Sequence, residues 1–330
     1  EMLRSLVGSE MCIRDRNNLM AFSAEQLLDK VNTYLATMPY MREPKGLYAP
    51  IEYVLSLGGK RIRPVLMLLS YQLYKENVDD ILSQAAGIET YHNYTLLHDD
   101  LMDRADMRRN KPTVHKVWDE NTAILSGDAM LVLAYRLMNN CPDSYLKQVM
   151  DIFSQTALEI CEGQQWDMEF ETRNDVTVPE YMEMIRLKTS VLLSAALKIG
   201  AVLGGASEDD ARKLYDFGIK MGLAFQLQDD YLDVYGDSKV FGKNIGGDIL
   251  CNKKTFMLIN ALALADGIQR KELEKWIAST AFCPEEKIKA VTALYDKIGI
   301  GGICEEKINA YYVEGLSLLE SMAVPSERKE

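Results

Sequence analysis

Apolar residues recur at helical spacing along nearly the whole chain from Ser23 onward, and no segment shows the sustained alternation of strands joined by hairpin turns. The first helix is predicted to begin with SAEQ at 23–26, which has the spacing of a capping box, and to run towards Met38. Further helices are predicted at 47–57, 64–75, 80–103, 122–139, 144–172, 177–203, 207–235, 254–265, 271–278, 284–298 and 302–322. The pattern therefore predicts an all-α protein.

No linker rich in proline or serine and no short repeat divides these segments. We therefore expect residues 20–330 to form a single domain, an antiparallel bundle of about ten core helices around a central cavity. Residues 1–19 have neither a helical apolar face nor the apolar core of a signal peptide. We expect them to be a non-native or disordered leader.

Two motifs of the form DDxxD each follow an apolar helical run. Their members are Asp99, Asp100 and Asp103 in the first and Asp229, Asp230 and Asp233 in the second. On a helix the outer two aspartates of a motif are one turn apart, with Cβ atoms roughly 5–6 Å from each other. Carboxylates that close repel unless one is protonated or a cation lies between them, and Mg²⁺ prefers such oxygen ligands. One motif in an acidic protein could be a solvated surface, but two copies favour a Mg²⁺ site between them for a strongly anionic ligand.

The composition excludes several classes of partner. The net charge of −12 argues against a nucleic-acid surface and against electrostatic docking on anionic lipid. Six cysteines without a CxxC pair, with only three histidines, indicate reduced thiols rather than a zinc site. The longest apolar stretch, 191–205, is interrupted by Lys198 and is too short to span a bilayer. We therefore expect a cytoplasmic protein without a membrane span.

Positive charge is concentrated beside the acidic motifs. GGKRIRP at 58–64 places three cations in a glycine-led turn before a helix, where backbone N–H groups favour anions and arginine suits phosphate oxygens. The other cations are Arg108, Arg109, Lys188, Lys243 and Lys253. Each alone could be a solvated surface residue. Together they indicate two anion sites, one bridged by metal and one without metal, and hence two phosphorylated substrates.

In their order along the chain, GGKRIRP, HDDLMD followed by RRNKP, KTS, QLQDDYLD, GKNIGGD and NKKT resemble the trans-isoprenyl diphosphate synthases. The resemblance runs from about residue 20 to the C-terminus. It implies the all-α isoprenoid synthase fold, three Mg²⁺ ions per active site and a homodimer. It also implies a short-chain prenyltransferase that condenses isopentenyl diphosphate with dimethylallyl, geranyl or farnesyl diphosphate to give farnesyl or geranylgeranyl diphosphate.

The resemblance also implies roles for single residues. The six aspartates would bind the allylic diphosphate through Mg²⁺ and, with Lys188 and Gln226, form the catalytic set. Residues matched to contacts with this substrate are Arg108, Lys188, Thr189, Gln226, Lys243 and Lys253. Residues matched to the isopentenyl diphosphate site are Lys60, Arg63, His92 and Arg109. Asn110 and Asn252 stand where the family usually has glycine, a departure that affects the local backbone shape more than the chemistry. His98 and His115 match no ligand role.

The implied mechanism needs no strong base from the protein. Metal and cations neutralise the leaving diphosphate, so that the allylic C–O bond ionises. The isopentenyl double bond then attacks the cation, and a proton is lost to the released diphosphate. The absence from the sequence of a Ser/His/Asp or Cys/His arrangement agrees with this scheme.

Product length is expected to depend on the helix before the first acidic motif. Tyr94 lies five residues before Asp99 and Thr95 four, which places their side chains about 6–8 Å along the helix axis. Tyr91 shares a face with Thr95. An aromatic residue five positions before the motif, with a small residue four positions before it, resembles short-chain enzymes with fifteen- or twenty-carbon products. In these enzymes a bulky side chain there forms the floor of the pocket. The alternative is that Tyr94 packs in the core away from the pocket.

Two other functions share parts of this pattern. A class I terpene cyclase would have the helical fold and the first motif, but it would normally carry an Asn/Ser/Glu-type second motif and no second anion site. A non-catalytic subunit of a heteromeric synthase would usually have eroded aspartate motifs, whereas both are intact in this chain. A Ca²⁺-binding helical protein is disfavoured because the EF-hand spacing is lacking.

Overall fold

The computed structural model describes residues 21–236, 245–325 and 328, and their fold is all-α. The α-helices are α1 (Ala24–Thr37), α2 (Lys45–Ser56), α3 (Ile62–Gln72), α4 (Leu82–Met102), α5 (Val114–Val117), α6 (Glu120–Met138), α7 (Asp143–Thr172), α8 (Val178–Ile185), α9 (Val191–Gly204), α10 (Glu208–Tyr235), α11 (Gly247–Leu250), α12 (Phe256–Leu264), α13 (Gly267–Ala278), α14 (Pro284–Ile298) and α15 (Ile300–Glu320). A two-residue strand β1 (Met107–Arg108) pairs antiparallel with β2 (Lys111–Pro112). The predicted fold class is confirmed, and the predicted leader lies outside the described residues.

Several helix starts agree with the capping signals read from the sequence. The Ser23 hydroxyl accepts a hydrogen bond from the Gln26 N–H at 3.3 Å, and the Gln26 side chain accepts one from the Ser23 N–H at 2.9 Å. Thr177 forms the same reciprocal box with Glu180 at the start of α8, and the Ser207 hydroxyl caps α10. These side chains satisfy N–H groups that a helix start leaves without partners.

Several predicted helix bounds differ from the structure, since the helix expected at 271–278 begins at Gly267 and the one expected at 64–75 is Ile62–Gln72. The helix expected from residue 80 begins at Leu82, because Val78–Ile81 forms a tighter 3₁₀ turn. The prediction of one continuous α-helix over 177–203 is wrong, because a π-helical turn, Arg186–Ser190, separates α8 from α9. Gly163 of α7 lies against the backbone of Lys188 in this turn, with no room for a Cβ atom. The widened turn carries Lys188 and Thr189.

Three apolar clusters surround these elements. The largest is built mainly from α1, α3, α4, α7 and α9 with the first half of α10. A second lies between α8, the rest of α10 and α12 to α15, and a third joins α2, α6 and the last part of α4. Each acidic motif therefore lies at the end of a helix that is anchored in two clusters.

Among the described residues, the helical run Val178–Gly204 is long and apolar enough to cross a membrane by length and composition, with a hydropathy of 1.5. It is longer than the stretch considered from the sequence alone. In the structure 78% of its most apolar 18-residue stretch is buried inside the protein, as in a core helix.

Helix α9 lies at the centre of the largest cluster and approaches its neighbours closely through small residues. On α10, a Cβ atom added at Gly218 would lie 2.6 Å from the Cα atom of Ser194. A Cβ atom at Gly222 would lie 2.6 Å from the Ser190 hydroxyl. Because the nearest atoms include backbone, which cannot move aside like a flexible side chain, these two positions require glycine.

We expect Gly218→Ala to lower the free energy of unfolding by about 1–3 kcal/mol, since the added methyl group must push α9 and α10 apart. The matched control is Gly302→Ala in α15, where an added Cβ atom meets nothing within 4 Å. That variant should be neutral or more stable by up to ~1 kcal/mol, because alanine favours the helix. Denaturant unfolding measures both, and equal stability of the two variants would contradict the close packing of α9 on α10.

Candidate active site

The first acidic motif lies at the C-terminal end of α4. Asp100 is buried, and the Arg108 Nε donates to both of its carboxylate oxygens at 2.8 and 2.7 Å. The same guanidinium lies 3.8 Å from Asp99. Asp103 follows the helix, with its N–H bonded to the Asp99 carbonyl at 2.9 Å. The hairpin of β1 and β2 thus turns a predicted substrate-binding arginine back onto the motif.

The electrostatics of this motif favour a cation. Burial raises the pKa of Asp100, although Arg108 opposes the shift. Burial also raises the pKa of Asp103, and the nearby Asp99 carboxylate adds to the shift. Each effect is a cost of holding negative charge away from water and beside like charge, which a divalent cation would reduce.

Lys188 connects this motif to α7. Its ammonium group donates to Asp99 at 3.3 Å and to Asp167 at 2.7 Å. Burial alone would lower the pKa of Lys188, but the two carboxylates outweigh it and the pKa is raised, so the lysine is charged. Asp167 was missed by the sequence analysis. No signal in the sequence identified it, because the pairing depends on how α7 packs against the π turn, where Gly163 contacts the Lys188 backbone.

The second motif lies at the C-terminal end of α10. Asp230 is buried and accepts hydrogen bonds from the Tyr181 hydroxyl at 2.5 Å and the Phe256 N–H at 3.3 Å. Burial raises the pKa of Asp230 to about 7. Asp233 accepts from the Asp248 N–H at 3.0 Å. The motif is therefore joined to α8 and to the chain that follows α10.

Lys253 is the predicted basic residue beside this motif, 3.9 Å from Asp248. Burial alone would lower the pKa of Lys253, but Asp248, Asp167 and the aspartates of the motif raise it. The Thr189 hydroxyl lies 3.3 Å from the Gln226 amide oxygen, which joins the turn that carries Lys188 to the helix that carries the second motif. Lys243 lies outside the described residues.

The chemistry of the donor set fits Mg²⁺, since carboxylate oxygens are the ligands this ion prefers. Within the described part of the chain, no three acidic, His or Cys side chains are already arranged around one point as in a metal site. The carboxylates instead accept from other donors: Asp99 and Asp100 from cations, Asp230 from the Tyr181 hydroxyl and a backbone N–H, and Asp233 from the backbone. The six-aspartate magnesium site stays a prediction.

A cavity of about 490 Å³, the predicted second anion site, lies beside the start of α3. The four residues predicted for isopentenyl diphosphate line it: Lys60, Arg63, His92 and Arg109. Arg63 lies 3.0 Å from the His92 Nε2. Burial, reinforced by the surrounding arginines, lowers the pKa of His92 well below its usual value, so the neutral ring accepts from Arg63. The cavity thus has cationic donors and no metal-binding motif.

Gly59 and Arg109 form one wall of this cavity. Gly59 has φ of 136°, and an added Cβ atom would lie 2.9 Å from the Arg109 guanidinium carbon. Arg109 also donates to the Gly58 carbonyl. The position of Gly59 favours glycine because its φ of 136° is one that L side chains rarely adopt, and the Arg109 guanidinium lies against its backbone.

A buried ion pair below this turn was missed by the sequence analysis. Arg61, with a left-handed φ of 47°, lies 2.6 Å from Glu89, and both side chains are at most 3% exposed. Arg61 also donates to the Leu55 carbonyl at 2.7 Å, and Glu89 accepts from Asn93 at 2.9 Å. This pair holds the turn so that Lys60 and Arg63, on either side of Arg61, line the cavity.

The residues predicted to control product length lie among aromatic rings on α4. The Tyr94 ring is half-buried, 5.4 Å from Tyr91 and 4.9 Å from His98 between centroids. Tyr91 is fully buried against Phe153, and its hydroxyl donates to a backbone carbonyl of α7 at 3.3 Å. Thr95 donates to the His92 carbonyl at 2.8 Å. Tyr91 therefore packs as a core residue, and Tyr94 is the more accessible aromatic of the pair.

The chain matches known proteins along most of its length. The family profile described as polyprenyl synthetase matches residues 44–295. A short chain isoprenyl diphosphate synthase of Methanocaldococcus jannaschii is 40% identical over 284 residues, which are 86% of each chain. A geranylgeranyl diphosphate synthase of Methanosarcina mazei is 46% identical over 66% of this chain and 68% of the relative. A crystal structure of a geranylgeranyl pyrophosphate synthase has a TM-score of 0.89 at 44% identity, over 94% of this chain and 95% of that one.

We expect Glu89→Gln to lower the free energy of unfolding by about 3 kcal/mol, because the Arg61 charge stays buried after its counter-charge is removed. Glu52→Gln on the exposed face of α2 is the control, with an expected change within about 0.5 kcal/mol. Denaturant unfolding at neutral pH measures both. A Glu89→Gln variant as stable as the control would contradict the role given to the pair.

Proposed function

The chain belongs to the polyprenyl synthetase family, and on that premise we propose how its two anion sites divide the work of a short-chain trans-prenyltransferase. Such an enzyme condenses isopentenyl diphosphate with an allylic diphosphate. We propose that the allylic diphosphate binds between the acidic motifs and that isopentenyl diphosphate binds in the cavity beside α3. The main support is the difference between the sites, since one combines carboxylates with cations and the other presents Lys60, Arg63 and Arg109.

Mg²⁺ is the ion used by this family, and we propose that the two acidic motifs bind it, with three ions per site as the resemblance implies. Asp100 and Asp230 are buried and hydrogen-bonded to other side chains. We therefore propose that these two orient Arg108 and Tyr181. The direct ligands would be the other four, Asp99, Asp103, Asp229 and Asp233.

When bound, Mg²⁺ would offset the negative charge of the leaving diphosphate. In our proposal Lys188, Arg108 and Lys253 donate to the same diphosphate oxygens and stabilise the charge that develops as the allylic C–O bond breaks. Asp167 orients Lys188, to which it is bonded at 2.7 Å. Lys243 is proposed for the same role by resemblance alone.

The acceptor half of the reaction is assigned to the second site. Lys60, Arg63 and Arg109 would hold the diphosphate of isopentenyl diphosphate, with His92 as a neutral partner of Arg63. The double bond of isopentenyl diphosphate then attacks the allylic carbon, a new C–C bond forms, and a C–H proton passes to the released diphosphate. Gln226 and Thr189, bonded to each other, would border the reacting carbons.

We also propose a homodimer and a cytoplasmic location. The dimer follows from the resemblance and is supported by exposed apolar residues on α6, where Ile124, Leu125 and Val132 are 46%, 60% and 60% exposed. The location is supported by the free thiols of the described cysteines, among them Cys161 and Cys283 on the surface.

The direct test is to incubate the protein with Mg²⁺, labelled isopentenyl diphosphate and each of the dimethylallyl, geranyl and farnesyl primers in turn. We expect linear fifteen- or twenty-carbon prenyl diphosphates, because both anion sites are required for condensation. Omitting Mg²⁺ should abolish them. Cyclic hydrocarbons formed from the allylic primer alone would instead identify a terpene cyclase.

We expect Tyr94→Ala to lengthen the product by at least one five-carbon unit, because the half-buried ring would form the floor on which the growing chain ends. Leu96→Ala is the control for product length and not for rate, since Leu96 lies on the same helix beside a small cavity that Asp100 and Arg108 also line. Its product should be unchanged. Chromatography of the dephosphorylated products measures both, and an unchanged length for Tyr94→Ala would remove this residue from the floor.

A further inference from the structure

Lys287, on the first turn of α14, is buried with only 1% of its surface exposed. Its ammonium group donates to the Asn252 side-chain oxygen at 2.7 Å and to the Leu250 carbonyl at 3.3 Å. It also lies 4.3 Å from the centre of the Phe282 ring. A buried cation is costly unless its donors are used, so these contacts strongly constrain the chain around Asn252.

The chain that Lys287 contacts is residues 246–253, here called the connecting segment. At one end the Gly246 N–H donates to the Asp233 carbonyl at 2.7 Å, which joins the segment to the second acidic motif. At the other end the Asn252 amide donates to the Ile277 carbonyl at 3.1 Å. Lys287 holds the same asparagine from α14. The segment is therefore hydrogen-bonded to the acidic motif at one end and to the C-terminal helices at the other.

Asn252 has a left-handed φ of 52°, and Lys253 follows it directly. The Lys253 N–H donates to the Asp248 carbonyl at 2.9 Å, and its side chain lies within the field of Asp248 and Asp167. Any shift of Asn252 must therefore move Lys253 relative to the carboxylates. The interaction of Lys287 with Asn252 lies on the side of the segment that faces the C-terminal helices.

We propose that Lys287 is a positioning residue, which anchors the connecting segment through Asn252 and Leu250 so that Lys253 is held over the second acidic motif. The proposal rests on the function proposed above for Lys253, as a contact of the allylic diphosphate. It assigns a role in substrate affinity to a lysine outside the acidic and basic motifs. The isopentenyl site at the start of α3 is independent of this anchor.

The test compares full-length variants in steady-state kinetics with geranyl and isopentenyl diphosphates and in hydrogen exchange of peptides that cover 247–253. Lys287→Met keeps the length of the side chain and removes its charge. Asn252→Gly removes the same contact from the other side and still permits the left-handed backbone, which covers the case in which Lys287→Met does not fold. Lys253→Met is the reference, and Lys289→Met, two residues along α14 and exposed, is the control.

We expect Lys287→Met to raise KM for geranyl diphosphate about tenfold, as is common when a supporting residue is removed, with KM for isopentenyl diphosphate within about twofold. Exchange of 247–253 should accelerate. Asn252→Gly should change both in the same direction, and the two effects should combine less than additively in the double variant, since the Lys287–Asn252 bond is lost in all three. The remainder reflects the bonds that only one substitution removes, Lys287 to Leu250 or Asn252 to Ile277. Lys289→Met should match the unmodified protein.

Three results would overturn the proposal, and they are distinguishable. If Lys253→Met raises KM for geranyl diphosphate but Lys287→Met and Asn252→Gly do not, the anchor is wrong while the proposed function of Lys253 stands. If Lys253→Met leaves that KM unchanged, the role of Lys253 fails and the inference fails with it. An equal rise in both KM values for Lys287→Met would indicate general destabilisation and would also contradict the anchor.

Discussion

The close contact of helix backbones around α9 is the constraint on which the rest of this structure depends. Gly218 lets α10 lie against α9, and Gly222 of α10 and Gly163 of α7 lie against the π turn that carries Lys188. Helix cores are packed densely enough that one added methyl group displaces a whole element. Glycines that carry no functional group therefore set the position of the second acidic motif. They also set the position of Lys188, which contacts the first motif.

Charge compensation is the second requirement of the site. Carboxylates held away from water, such as Asp100, must be neutralised, because burying an unpaired charge costs far more than an exposed pair gains. Arg108 on Asp100 and Lys188 between Asp99 and Asp167 provide this neutralisation from the hairpin and the π turn. The residues that pair with the carboxylates are also those suited to phosphate oxygens, so in the proposed function one arrangement would serve both stability and substrate binding.

The two anion sites are held by different kinds of support. The cavity beside α3 depends on the buried pair of Arg61 and Glu89 and on an arginine packed on a glycine turn. The region around the two acidic motifs depends on contacts between distant helices, among them the hydrogen bond from Tyr181 to Asp230. This difference agrees with the proposed chemistry, in which one substrate is held by fixed cations and the other ionises between carboxylates and cations.

The amino-acid sequence by itself determined the helical fold, most helix boundaries and the order of the acidic and basic motifs. These features are local, since a cap acts over three residues and the two outer aspartates of a motif are one helical turn apart. Only the tertiary structure revealed Asp167 beside Lys188, the pair of Arg61 with Glu89, and the anchor at Lys287. Their partners are 21, 28 and 35 residues away in sequence, so only helix packing decides which charged side chains meet. The π turn within 177–203 was likewise undetectable from periodicity. It lies where the backbone packs against Gly163 of α7, and such a tertiary contact leaves no mark in the spacing of apolar residues.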